Sequence, residues 1–112
     1  MVDSVPFSRQ KKNISRDFAD GVMMAELIHH YNDKIVELHN YPPSNSIQKK
    51  IINWNTLNSR VLKKIGMNLS KQDIEAIANA TPGVIEQLLY RIFLKFEHPE
   101  EEGSLVNNAR QI

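Results

Sequence analysis

Apolar residues recur at helical spacing along most of this chain, and the longest patterned stretch runs from Asn45 to Ile65. At about 100° per residue, Ile47, Ile51, Trp54, Val61, Leu62 and Ile65 fall on one side of a helix. Lys49, Arg60, Lys63 and Lys64 fall on the opposite side, with Asn53 and Thr56 as polar neighbours there. Lys50 lies at the border, and Ile52 lies outside the apolar stripe. The pattern predicts a central helix with one face in a core, anchored by the only tryptophan, and a basic face turned to water or to an acidic partner.

Further helices flank this one. Ser15 to Tyr31 is apolar over much of its surface, with Ser15 as a cap and Asp17 in the first turn. Gly21 inside it is costly for a helix, so it points to a close approach by a neighbouring helix or a change from a short turn into the main helix. Asn32 to Ser46 reads as a connector. Ile35, Val36, Leu38 and Tyr41 are expected to pin it to the core, and Pro42 and Pro43 stop any helix. Asn45 or Ser46 caps the central helix, and Gly66 ends it. Ser70 and Asp73 have capping-box spacing ahead of Ile74, Ile77 and Ala78. Thr81 is expected to cap the last helix with Pro82 in its first position. Val84, Ile85, Leu88, Leu89, Ile92, Phe93 and Phe96 make that helix a core element, and Pro99 ends it. No alternating strand pattern and no internal repeat appears. The reading is one all-α domain over residues 1–98, followed by an acidic linker or tail over 99–112 that carries Glu100, Glu101 and Glu102.

Composition changes the picture in two ways. The chain has 112 residues and no cysteine, which excludes a disulfide framework and thiolate metal sites and fits a reducing compartment. No apolar run is long enough to span a bilayer, and the N-terminus lacks a signal-peptide core, so the expectation is a soluble, intracellular chain without a membrane partner. The net charge of +1 conceals an asymmetry. Residues 1–71 carry eleven Lys or Arg against six Asp or Glu, whereas residues 72–112 carry three against seven. Part of the excess sits in Arg9, Lys11, Lys12 and Arg16, in an expected loop. Long flexible cations in such a cluster suit dispersed negative charge.

No catalytic constellation stands out. His29 and His30 are adjacent and point in different directions on a helix, and His39 and His98 have no ligand spacing. Asp17 and Asp20 are read as capping and solvated residues. There is no phosphate-cradling glycine loop and no nucleophile-elbow serine. The expectation is therefore a non-enzyme without cofactor or metal. Nucleic acid is disfavoured as a partner, because Trp54 is turned inward and the basic face lacks the residue mixture of a base reader.

The segment NISRDFADGVMMAELI resembles the second-helix signature of calponin-homology domains, with Asp17-Phe18-Ala19-Asp20-Gly21 in the signature positions. HNYPPSNSIQKKIINWNTLN, TPGVIE and VDSVPFSRQKKNISRDF are similar to stretches of the sperm flagellar protein 1 / CLAMP family, calponin-homology and microtubule-associated proteins. The resemblance covers roughly residues 2–96. It implies a calponin-homology-like bundle of about four main helices, with its first helix truncated relative to the family. Phe18, Ile28 and Leu88 are then expected to be only partly covered. It also implies microtubule binding, a place in the cytoplasmic cytoskeleton of the ciliary or flagellar axoneme, and self-association in a longer protein. Arg9, Lys11, Lys12, Arg16, Lys49, Lys50, Arg60, Lys63 and Lys64 are the candidate tubulin contacts. Actin binding is the alternative, and nucleic-acid binding a weaker one.

Overall fold

The computed structural model describes residues 13–99. Within them the chain is all-helical: α1 (Ile14–Asp17), α2 (Val22–Tyr31), α3 (Ile47–Arg60), α4 (Lys71–Ala78) and α5 (Val84–Glu97). Two 3-10 turns, Leu38–Asn40 and Leu62–Ile65, complete the described elements. The four helices of eight or more residues match the expected number.

The expected helix from Ser15 to Tyr31 is broken. Asn13 caps α1, its side chain accepting from the Arg16 N–H at 3.2 Å, while Ser15 lies buried inside the turn. Gly21 then adopts a left-handed conformation, φ +82°, and α2 starts behind it. A side chain there would be strained and crowded: a Cβ would sit 3.2 Å from Leu57 Cδ1 and 3.5 Å from Asn53 Cβ. Both proposed roles of Gly21, close approach and a change of direction, are present together.

The central helix begins where Ser46 caps it, accepting from the Lys49 N–H at 3.4 Å. Its α-helical part ends at Arg60, and the chain tightens into the 3-10 turn before Gly66 stops it at φ +81°. The buried side is rotated from the expected one. Trp54, Val61 and Leu62 are buried as expected, but Leu57 and Asn53 join them, while Ile47 is 46% exposed. Helical projection puts Asn53 beside Lys49 and Arg60. It is buried because its amide has two carbonyls to satisfy.

α4 carries the expected capping box: Ser70 Oγ accepts from the Asp73 N–H at 3.0 Å, and Asp73 Oδ2 accepts from the Ser70 N–H at 3.1 Å. The expected start of α5 is wrong. Gly83, at φ +89°, precedes Val84, and Thr81 and Pro82 are exposed in the turn without capping it. Ile85, Leu88, Leu89 and Ile92 bring α5 into the same core cluster as Trp54, Met23, Met24 and Ile74. Tyr31 closes the far end. Its ring stacks on Phe96 with centroids 4.8 Å apart, and its hydroxyl donates to Glu97 Oε2 at 2.5 Å.

Two further expectations fail. Leu38 is 39% exposed, so Val36 and Tyr41 are the buried anchors of the connector and Ile35 packs against their edge. Phe18, Ile28 and Leu88 are at most 4% exposed, so the apolar patch expected of a truncated bundle is not present on them.

Candidate functional site

The bearing of the basic residues of α3 is fixed by a polar knot. Asp20 is 4% exposed and not solvated as expected. One of its carboxylate oxygens accepts from the Val22 N–H at 3.1 Å and the other from the Ser44 N–H at 3.2 Å. Its backbone carbonyl accepts from Asn53 Nδ2 at 2.8 Å, and the same amide donates to the Pro42 carbonyl at 2.9 Å. Trp54 Nε1 donates to the Ala19 carbonyl at 3.0 Å. Consecutive residues of α3 thus pair with consecutive carbonyls of the turn ahead of α2. Since buried polar groups are costly unless paired, these bonds fix the rotation of α3 about its axis. Further along, Asn58 accepts from the Leu69 N–H at 2.8 Å and donates back to the Leu69 carbonyl at 3.2 Å. That ties the end of α3 to the approach of α4.

The expected contact residues are distributed as follows. Lys49, Arg60, Lys63 and Lys64 are exposed and Lys50 is half-buried. Lys49 stands in the first turn of α3 and Arg60 at its last residue, about 16 Å apart along the axis. Lys63 and Lys64 belong to the 3-10 turn, which advances about 120° per residue, so an ideal α-helical projection does not carry through to them. Arg60 and Lys64 line a groove of about 400 Å³, and Lys63 does not. Arg16 is exposed on α1 and lines another groove, beside Ala80, Pro82 and Glu86. Arg9, Lys11 and Lys12 lie outside the described residues.

Lys34, absent from the expected set, joins Arg60 and Lys64 in the first groove. Its backbone is fixed by an Asx turn, in which Asn32 Oδ1 accepts from the Lys34 N–H at 3.0 Å. Asn32-Asp33 is a turn signal, but no sequence signal shows the meeting of Lys34 with the distant end of α3. Tyr41 forms part of the same wall. Burial pushes its hydroxyl above the usual tyrosine range, Arg60 nearby pulls it down, and Glu37 pushes it up. Among the described residues, Lys34, Lys49, Arg60, Lys63 and Lys64 make no ion pair within 4 Å. No group of three His, Asp or Glu among them could hold a metal ion, and no described helix is long and apolar enough to cross a membrane.

A helical domain with the Asp17–Gly21 segment at the turn ahead of α2 fits a calponin-homology-like fold. A family model described as "CH-like domain in sperm protein" matches residues 1–94, and the chain belongs to that family. Among its curated relatives, Sperm flagellar protein 1 of Homo sapiens is 46% identical over 115 residues, which takes in 98% of this chain and 49% of that protein. Sperm flagellar protein 1 of Mus musculus is 44% identical over 104 residues, 93% of this chain and 44% of that protein. The Xenopus laevis protein of the same name is 44% identical over 99 residues, 88% of this chain and 43% of that protein. The chain therefore spans a little under half the length of these relatives.

Proposed function

We propose that this domain is a non-catalytic cytoskeletal module that binds microtubules, in a ciliary or flagellar setting, through the basic side of α3 and the 3-10 turn behind it. The observation that carries the reading is that Lys49, Arg60, Lys63 and Lys64 are exposed and unpaired among the described residues, on elements anchored by a buried core. Unpaired cations on a rigid support favour an acidic surface, and a microtubule is such a surface. The resemblance to microtubule-associated calponin-homology domains points the same way, and the names of the flagellar relatives support the flagellar setting. Trp54, wholly buried with its N–H committed to Ala19, offers no ring for base stacking, which weighs against nucleic acid.

The test is co-sedimentation with microtubules, actin filaments and DNA at one salt concentration, using the wild type and the triple variant Lys49→Glu, Arg60→Glu, Lys63→Glu. The wild type should pellet with microtubules and lose binding as salt rises, through screening. The triple variant should remain helical by circular dichroism and bind far less. Preferential pelleting with actin or DNA sinks the reading, and a folded triple variant that binds like the wild type removes α3 from the interface.

A further inference from the structure

The groove at the end of α3 has more structure than a charged face requires. It is concave, about 400 Å³, within the size range of pockets that enclose ligand groups. Three cations converge on it from two separate segments, Lys34 from the connector and Arg60 and Lys64 from the end of the central helix. All three are exposed, and none has an ion-pair partner within 4 Å among the described residues. The one carboxylate in its lining, Glu37, is exposed. Glu37 lies 3.3 Å from His39 Nε2 and accepts from Asn40 Nδ2 at 3.5 Å. Between the cations, half-buried Ile35 supplies apolar surface.

We propose that this groove seats an extended acidic polypeptide segment, its carboxylates meeting Lys34, Arg60 and Lys64 and its methylene stems lying on Ile35. The proposal rests on the microtubule reading and adds to it a defined pocket and a residue, Lys34, outside the α3 face. Spaced carboxylates on aliphatic stems suit spaced cations flanking Ile35. A phosphate backbone offers no aliphatic stem to lie on Ile35. Tyr41, which lines the same groove, carries a hydroxyl that can donate to a carboxylate.

A fluorescein-labelled octaglutamate peptide is titrated with the 112-residue protein and followed by polarisation, with a labelled eight-residue oligothymidylate in a parallel arm. The variants are Lys34→Glu and, as the control with the same charge change, Lys71→Glu, an exposed residue at the start of α4 outside both the groove and the α3 face. Lys34→Glu should weaken the peptide about fivefold, whereas Lys71→Glu should change it less than twofold. Equal losses in the two variants overturn the proposal, because they mean diffuse attraction. Tighter binding of the oligonucleotide than of the peptide also overturns it, as does no peptide binding by the wild type. Microtubule co-sedimentation of the same proteins separates the two claims. A wild type that pellets with microtubules but ignores the peptide removes the groove and leaves the α3 face. A wild type that binds the peptide in a Lys34-dependent way but does not pellet keeps the groove and removes the microtubule reading.

Discussion

The knot between α3 and the turn ahead of α2 can be tested with a substitution that changes almost no volume. Asn53 is 5% exposed, and its amide nitrogen donates to the carbonyls of Asp20 and Pro42, at 2.8 and 2.9 Å. Asn53→Asp keeps the shape but replaces the donating NH2 by an oxygen. Two carbonyls then lose their donor, and both face a negative oxygen at less than 3 Å. A buried polar group left unpaired costs about 1–3 kcal/mol, more when a charge is involved, so the loss at pH 7 should be about 3–5 kcal/mol. That is a large fraction of the roughly 5–15 kcal/mol available to a domain of this size.

The pH dependence gives the same test a sign. Burial and facing carbonyls raise the new carboxyl's folded pKa above its unfolded value of about 3.9. The folded variant then binds protons more readily than its unfolded chain. Relative to the wild type, its stability should recover as pH falls towards about 4 and be lost again as pH rises through the folded pKa. Urea unfolding of both proteins at pH 7 and at pH 4.5, followed by tryptophan fluorescence, measures this. Asn55→Asp, one turn-step away on the exposed side, is the control and should stay within about 0.5 kcal/mol of the wild type. A loss below about 1 kcal/mol for Asn53→Asp, or a loss that does not shrink at the lower pH, would refute the role assigned to the knot.

Two other changes probe its neighbours. Trp54→Ala removes a wholly buried ring and the donor to the Ala19 carbonyl, and should cost about 3–5 kcal/mol by chemical denaturation; a loss below about 1 kcal/mol would place Trp54 outside the core. Gly21→Ala should cost about 2 kcal/mol, from the left-handed backbone and the contact with Leu57, and a neutral result would mean that the turn relaxes freely.

The fold class, the four long helices and most caps could be read from the sequence because they depend on local chemistry. Ser46, Gly66 and the Ser70–Asp73 box act within a few residues of themselves, so spacing alone reveals them. Asn53 and Asp20 were misplaced for the opposite reason. A polar residue is expected at the surface unless its partners are known, and theirs lie on another segment of the chain. The start of α5 was misread because Thr81-Pro82 has capping chemistry, whereas Gly83 holds the left-handed conformation and leaves Thr81 in the preceding turn. At the candidate site, the cations of α3 were legible by periodicity and Lys34 was not, since only the tertiary path of the connector brings it to Arg60 and Lys64.

The same residues that misled the pattern also determine where the basic side faces. Apolar packing alone constrains the rotation of a helix loosely, because leucine and isoleucine tolerate small rolls by changing rotamers. Directional bonds do not. Asn53 and Trp54 are adjacent on α3 and grip the adjacent carbonyls of Asp20 and Ala19, while Asp20 itself holds the loop at Ser44. A roll of α3 would break these bonds together and leave several buried groups unpaired. The cost falls on Asn53 and Trp54, and its effect appears at Lys49, one turn before Asn53, and Arg60, two turns after it, which are carried at a fixed bearing. Long exposed cations remain free to adjust at their tips, but their helix does not turn under them. Charge supplies the attraction in the proposed interface, and the buried Asp20–Asn53–Trp54 knot supplies its orientation.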